Sequence, residues 1–513
     1  MKRFYLLTAL FALTAAGCVK VDLVDISTLP LPENLTVEQT DYKLDAFEER
    51  TATAVFTATA DWTLSVVYDE PETGAGDETG AAGADAAWLT ADVAGGAAGE
   101  QSVGMSAARN FQASPRTAYV DLLCGEQTVR LTVTQTGLSD DMDFSALFDE
   151  TFAQKLQERD IVADAEKITM QEMQSMAAMA ELDISGTFSN PGSLTSLRGI
   201  AYFESLTSLN CNRNSLPELD VSLNTELTEL RCEYNSLTEL DISQNTKLTY
   251  LNCNRNSLTK LDVSQNTELT ELRCEYNSLT KLDVSLNTEL TVLRCQYTSL
   301  TELDVSQNTK LTTLVCGNNP LTELDVSKNT KLTTLSCSGN QLTELDVSLN
   351  TELTQLFCGN NPLTELDVSQ NTKLTELICN NNQLKELNVR LNTELTELWC
   401  DSNQLTELDV SLNTKLTKLY CNSNELTELD ISLNTELTAL RCESNQLKEL
   451  DISRNTELTA LHCHDNPGDG NSGFPLTVWG DQAEKPGSLY VYQSGWWYND
   501  KYITIQYQTA PGE

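Results

Sequence analysis

Thiols, imidazoles and carboxylates are the side chains in this chain whose types and spacing could support chemistry, and the thiols are the most ordered. Of fifteen cysteines, thirteen stand in one strict 21-residue register, from Cys211, Cys232 and Cys253 through to Cys442 and Cys463. Three roles are open to such a column: disulfide cross-linking, metal ligation, or the packing of a small apolar group. Successive parallel strands lie about 4.8 Å apart, within Cα range for a bridge, but in-register side chains do not offer the usual Cβ geometry. Clustered ligands of the C-x-x-C kind are absent. A reduced, buried thiol column that fills space is therefore expected, and Cys124, outside the register, has no evident partner. The only two histidines, His462 and His464, flank Cys463 and should face outward with their ring nitrogens close. With Asp465 they form a conceivable transition-metal site, although no metal or other cofactor is assigned to the chain.

Carboxylates form a second ordered set. Asp220, Asp241, Asp262, Asp283, Asp304, Asp325, Asp346, Asp367, Asp409, Asp430 and Asp451 share one column, interrupted by Asn388. Carboxylates one rung apart repel unless each accepts hydrogen bonds or a cation lies between them, and the expected role is an Asp bound to local backbone at a turn. Ile168 and Glu172 stand where an EF-hand-like loop would place its hydrophobic residue and final acid. Ile161, Ala163 and Ala165 then occupy coordinating positions and cannot bind calcium through their side chains. No nucleophile elbow, H-E-x-x-H motif or phosphate-cradling glycine loop occurs, so the chain is not read as an enzyme and no catalytic residue is assigned. A formal net charge of −42, from 75 acidic and 33 basic residues, excludes nucleic acid as a partner, because nothing offers the basic stripe that displaces counterions from phosphates.

The repeat is what must position these columns. A 21-residue unit cannot bury a core alone and must stack on copies of itself. One unit, 227–246, reads LTELRCEYNSLTELDISQNT. The alternation around Leu230 and Cys232 is a strand period, which points Leu and Cys inward and Arg231 and Glu233 toward solvent. The second half, from Leu237 to Asn245, is a near copy ten residues on that returns the chain across the other side of the coil, and on alternation alone either half could be the main strand. One asparagine column runs from Asn214 to Asn466, broken only by Thr298; another, from Asn224 to Asn455, is unbroken across twelve copies. Buried amides in these columns can pair turn N–H and C=O groups. The first half, Leu227-x-x-Leu230-x-Cys232-x-x-Asn235-x-Leu237, fits the pattern L-x-x-L-x-L-x-x-N-x-L with cysteine at the third apolar position. In this the chain resembles the leucine-rich repeat family, in a 21-residue form associated with Bacteroidetes surface proteins, over about 182–466. The resemblance implies a β-rich solenoid of parallel strands with a mostly non-helical return side, and favours the Cys half as the strand.

Compared with one another, the repeats barely change in their LDVSxNT half. The residue before each cysteine does change: Asn210, Arg231, Asn252, Arg273, Arg294, Val315, Ser336, Phe357, Ile378, Trp399, Tyr420, Arg441 and His462. That column should face solvent and is the natural recognition column, with Arg231, Arg273, Arg294, Phe357, Ile378, Trp399, Tyr420 and Arg441 as candidate ligand-binding residues. Phe357, Ile378, Trp399 and Tyr420 fall on consecutive rungs, which predicts an exposed apolar strip roughly 15 Å long at about 4.8 Å per strand. Aromatic anchors with arginine nearby are what interfaces favour.

The remaining segments frame this solenoid. Met1-Lys2-Arg3, an apolar run from Phe4 to Leu13, and Thr14-Ala15-Ala16-Gly17-Cys18 resemble a bacterial lipoprotein signal, with Ala15 in place of the usual Leu. The resemblance implies a leader over 1–17, lipid attachment at Cys18, a tether over 18–32, and a surface-exposed outer-membrane lipoprotein held by its lipid alone. Short Val/Thr/Ala-rich runs between 33 and 137 suggest an antiparallel β-sandwich. Phe56, Asp61-Trp62, Trp88-Leu89, Asn110, Arg116 and the close Val129-x-Leu131-x-Val133-x-Gln135-x-Gly137 resemble the BACON domain, which implies an immunoglobulin-like sandwich that binds glycan or acts as a spacer. An acidic Gly/Ala stretch over 70–87 interrupts it, and Trp62 and Trp88 are expected in its core. Phe144, Leu147, Phe148, Phe152 and Leu156 recur at helical spacing within 139–181, a cap for the first coil, and an aromatic-rich segment over 467–513 would close the last. The expected function is non-enzymatic binding of an extracellular protein through the variable strand face. Glycan binding by the sandwich or the aromatic tail, or a passive stalk, is the alternative.

Overall fold

The computed structural model describes residues 34–46, 49–68, 87–110, 112–139, 141–189, 191–480, 483–492 and 496–510. The leader-like segment, the tether with Cys18 and nearly all of the acidic Gly/Ala stretch lie outside them. The chain divides into two compact units, 1–142 and 143–513. No helix among the described residues is long and apolar enough to cross a membrane.

The first unit is built from β1 (Leu35–Val37), β2 (Asp41–Leu44), β3 (Thr51–Ala58), β4 (Trp62–Tyr68), β5 (Leu89–Ala91), β6 (Gly95–Gly96), β7 (Gly99–Ala107), β8 (Arg116–Cys124) and β9 (Gln127–Gln135). They form two sheets in the orders β1-β3-β7-β5 and β2-β9-β8-β4-β6. Pairing is antiparallel except between β2 and β9. Alternate residues are buried, as the two-residue strand period requires: Ala54, Phe56 and Ala58 on β3 meet Val120, Leu122 and Cys124 on β8 in one core. Trp62 and Trp88 are closed inside it, at 3% and 5% exposure. The polar motif residues clasp the sandwich. Arg116 donates to Gln135 Oε1 at 2.9 Å and stacks 4.5 Å above Trp88, while Asn110 donates to the carbonyls of Ser114 and Thr136.

The second unit begins with its cap. The Phe144–Leu156 periodicity does not make one helix, because Asp149 interrupts it: Ser145–Leu147 is a 3-10 turn, and Asp149 then caps helix α1 (Glu150–Glu158) by accepting from the Thr151 and Phe152 amides. Helix α2 (Met170–Ala177) starts with a capping box in which Glu172 answers Thr169. Glu172 also accepts from the Ala163 amide at 2.7 Å, so the acid of the EF-hand-like spacing is committed to backbone. Phe148 and Phe152 pack on Tyr202 and Phe203 of the first coil. Gly199, at φ +110°, lies so close that a Cβ would strike the Phe148 ring.

From Glu181–Asp183 onward, three-residue strands stack in a fifteen-stranded parallel sheet whose last member is Tyr490–Val491. The thirteen strands from Ser208–Asn210 to Ala460–His462 lie in the Cys half, and among them register advances by one repeat per rung, as in Leu230 opposite Leu251 and Leu251 opposite Leu272. The return side of the regular repeats is non-helical turn, so the observed architecture is a leucine-rich-repeat-like solenoid. Leu227, Leu230, Cys232, Leu237 and Ile242 are buried in each coil's core. Immediately past each strand the chain turns through a left-handed residue two positions after the cysteine, such as Tyr234 at φ 56° and Asn381 at φ 52°. The turn leaves backbone groups unpaired, and asparagine closes them. Asn277 Nδ2 donates to the carbonyls of Cys253 and Cys274, both at 3.0 Å, and its Oδ1 accepts from the Leu258 amide at 3.0 Å. One side chain therefore ties two rungs. The other asparagine column also joins rungs, but by donation alone: Asn245, fully buried, donates to Val221 O and Asn224 O of the coil before, and its Oδ1 has no hydrogen-bond partner. Beyond the last coil, Gly473–Val478 lies between Leu450–Asp451 and Thr504–Thr509, burying Phe474, Leu476 and Val478, and Trp496 closes the end with its Nε1 donating to Asn466 O at 3.2 Å.

Thr298, the single break in the first asparagine column, has its hydroxyl 2.9 Å from Cys295 O and 2.6 Å from Asn319 Oδ1, and one proton to serve them. Replacing Asn277 by Ala should cost about 2–4 kcal/mol, because three buried backbone groups lose their partner. Thr298→Asn should instead stabilise by about 1 kcal/mol. Chemical denaturation of both variants against the parent checks the opposite signs.

Candidate binding face

The strand period sorts each rung's side chains into an inward set, Leu and Cys, and outward columns at three before, one before and one after the cysteine. The thiol column is chemically quiet. All fourteen described cysteines are free and buried, and burial pushes thiols such as Cys211, Cys253 and Cys337 up to about 12. The aspartate column is also accounted for locally. Asp241 Oδ1 accepts from the Ser243 amide at 2.9 Å, and this bond holds its carboxyl below the usual range, a pattern repeated at Asp262, Asp304 and Asp367.

The column before the cysteines faces outward but is less open than its sequence suggests. Arg231 and Arg441 are exposed; Arg273, Arg294, Phe357, Ile378, Trp399 and Tyr420 are half-buried, and Asn252 and Val315 are buried. Neighbouring rungs explain this, since side chains on strands about 4.8 Å apart shield one another. Trp399 and Tyr420 lie 5.0 Å apart between ring centroids, and Arg441 sits 5.8 Å from the Tyr420 ring. Phe357, Ile378, Trp399 and Tyr420 do occupy successive paired positions, so the apolar strip is continuous but half-shielded. Trp399 Nε1 is buried with no hydrogen-bond partner. Glu233 is half-buried and Glu275 and Glu443 are buried, contrary to the outward exposure expected of their column. Burial pushes Glu233 and Glu275 above the ordinary carboxylate value despite arginines nearby.

A second feature, at the left-handed position two after each cysteine, is not singled out by the sequence. Arg213, Tyr234, Arg255, Tyr276 and Tyr297 occupy it on five consecutive rungs and stack as a ladder. Arg213 and Arg255 lie 4.0 and 5.1 Å from the Tyr234 ring, Arg255 lies 3.9 Å from Tyr276, and Tyr276 stacks on Tyr297 at 4.5 Å. Beside it, Arg231 and Arg273 flank Tyr250 at 5.0 and 5.9 Å. The face thus has two halves, arginine–tyrosine toward the amino terminus and apolar–aromatic toward the carboxyl terminus. On the return side, Leu391, Leu412 and Leu433 form a separate exposed row. At the last rung, His462 and His464 stand 6.3 Å apart between ring centroids, Tyr492 stacks on His462 at 5.1 Å, and Asp465 Oδ2 lies 2.8 Å from His464 Nδ1. In the tail, Tyr490, Trp497 and Tyr502 are exposed.

Residues 34–138 match the family model described as the viral BACON domain. Among solved structures, the functional domain of InlJ from Listeria monocytogenes, described as including a cysteine ladder, is similar at 39% identity and a TM-score of 0.56, over 66% of this chain and 82% of that one. YopM, a leucine-rich effector protein of Yersinia pestis, is similar at 23% identity and a TM-score of 0.47, over 66% of this chain and 91% of that one. No curated protein matches.

Glu275 supplies a pH test of the face. A carboxyl whose folded pKa lies above its unfolded value contributes stability that is fully present below that value, 4.5, and is lost as pH rises through the folded pKa. Glu275→Gln should therefore lose less thermal stability than the parent between about pH 4.5 and 7. Melting temperatures of the two chains across that range are the check, and parallel curves would contradict the shift.

Proposed function

Because this chain belongs to the leucine-rich repeat family, we propose that it binds an extracellular protein through the strand face of its solenoid. The observation that carries this is where the repeats differ. Thirteen strand halves keep their inward Leu and Cys and twelve return turns barely change, while the strand column before the cysteines and the turn position two after them hold aromatic and arginine side chains in two stacks. The arginine–tyrosine ladder adds weight, because bulky residues occupy left-handed positions that Asn, Ser or Gly fill on later rungs, from Asn318 and Gly339 to Ser444. A non-glycine residue there carries a conformational cost on the order of 1 kcal/mol, and the stacking it gains lies at the surface. Trp, Tyr and Arg are the residues that most often dominate protein interfaces. The chain works by binding and has no catalytic role in this reading.

A glycan is the second reading, and the exposed aromatics of the tail favour it. Tyr490, Trp497 and Tyr502 are 60%, 61% and 50% exposed, with Trp497 and Tyr502 in edge contact at 5.5 Å. The BACON domain serves as a spacer in both readings, since its two tryptophans fill its own core. For location, we infer that the leader-like residues direct export and that Cys18 is the lipidated anchor of an outer-membrane lipoprotein that presents the solenoid outward.

A screen of the chain from Val19 onward against arrayed host proteins and glycans identifies the partner class. The triple variant Phe357→Ser, Trp399→Ser, Tyr420→Ser should weaken a protein partner by roughly 100-fold or more, while Leu391→Ser, Leu412→Ser, Leu433→Ser on the return side leaves it bound. Retention that survives the strand-face variant and is lost on Trp497→Ala, Tyr502→Ala would select the glycan reading. Cys18→Ala should move the chain from the membrane to the soluble envelope fraction on fractionation; unchanged membrane retention would overturn the lipid anchor.

A further inference from the structure

Glutamate one rung back completes what the two histidines begin. Glu443 and His464 both follow a cysteine, 21 residues apart, so they stand in one column on adjacent rungs. His462 occupies the neighbouring outward position on the strand of the last repeat, Ala460–His462. Ligand atoms of Glu443, His462 and His464 all lie within 4.8 Å of one another, the only such group of three among the described residues. A tetrahedral ion with bonds of about 2.0 Å holds its donors about 3.3 Å apart, a distance that modest side-chain rotation reaches.

Two independent observations point to a ligand at this place. Glu443 is 5% exposed and uses only one oxygen within the chain: Oε1 accepts from Arg441 Nε and Nη2 at 3.0 and 2.6 Å, whereas Oε2 is buried with no hydrogen-bond partner. Glu233 and Glu275 of the same column carry the same orphan oxygen, and only at Glu443 do two imidazoles stand beside it, so that a bound cation would satisfy an acceptor that is costly to leave unpaired. Asp465, which the sequence alone pairs with the histidines as a third ligand, has a different part. Its Oδ2 lies 2.8 Å from His464 Nδ1, the carboxylate–imidazole contact that fixes the tautomer of a ligating histidine and leaves its other nitrogen as donor. The Tyr492 ring lies parallel to His462 and stacks on its face at 5.1 Å between centroids.

We propose that Glu443, His462 and His464 bind one divalent transition cation of the zinc class, clamping the last two rungs of the solenoid beside the terminal strand. Two imidazoles with one carboxylate suit such an ion better than calcium or magnesium, which favour all-oxygen shells. Cys442 and Cys463 are excluded as ligands, because they point to the opposite side of the strand and are fully buried. Arg441 lies between this site and the apolar strip, bonded to Glu443 and 5.8 Å from the Tyr420 ring, and the site does not depend on the identity of the macromolecular partner.

The test is calorimetric titration of the purified, reduced, metal-free chain with Zn2+, repeated with Co2+ and read by absorption. One ion per chain, a raised melting temperature, and a Co2+ spectrum of nitrogen and oxygen donors are expected. His462→Ala with His464→Ala should abolish binding. Glu443→Gln, which preserves shape and the Arg441 contact, and Asp465→Asn should each weaken it about 10–100-fold without changing the circular dichroism of the solenoid. Absence of Zn2+ binding, binding that survives loss of both histidines, or a thiolate charge-transfer band with Co2+ would overturn the proposal.

Discussion

Every strand turn of the repeats except the one at Thr298 depends on an asparagine amide that belongs to two rungs at once. The left-handed turn after each strand leaves carbonyls and an amide facing inward, and Asn277 collects one carbonyl from its own coil, another from the coil before, and the amide of Leu258. Leu and Cys packing supplies the driving force for stacking but is nearly indifferent to sliding, since one apolar layer resembles the next. The amide is directional, and it fixes both the tightness of the turn and the alignment of adjacent coils. The cysteine at the same level fits because a small side chain is what remains between that turn and the core.

Strict alignment has consequences on the outside. With each rung directly over the last, identical positions become neighbours, and a column of side chains becomes a continuous surface. Like charges in such a column would repel, and the chain avoids this in several ways. Asp241 and its equivalents turn onto their own backbone, Lys247, Lys310, Lys373 and Lys415 each pair with a glutamate one rung back, and arginine alternates with tyrosine where the face is cationic. Single exposed pairs of this kind contribute little to stability. Their use is to let an acidic chain keep coils in register while reserving one face for aromatic and arginine groups.

Much of this was legible in the residues. The 21-residue interval marked the rungs, the Leu230–Cys232 alternation separated inside from outside, and the varying residue before each cysteine marked the strand face. Less legible was anything that depends on where neighbours sit. Phe357, Ile378, Trp399 and Tyr420 read as exposed and are half-buried, because each is shielded by the rungs on either side. Phe144 to Leu156 recur at helical spacing, yet the segment is a 3-10 turn followed by a helix, because Asp149 caps the second element. The tyrosine ladder is not legible in the residues, because it follows a turn whose left-handed conformation no residue type there announces. Glu443 lies one repeat before His464, so its place beside the histidines is a signal the period itself contains.

The sequence by itself determined the period, the parallel strand, the inward thiol column and the sandwich ahead of it, because these follow from local alternation and from repetition, which need no knowledge of distant contacts. Tertiary structure alone decided which outward side chains touch and which of them water still reaches. Those outcomes are set by strand spacing and by the direction each chain leaves its turn, and both exist only once one coil lies on the next.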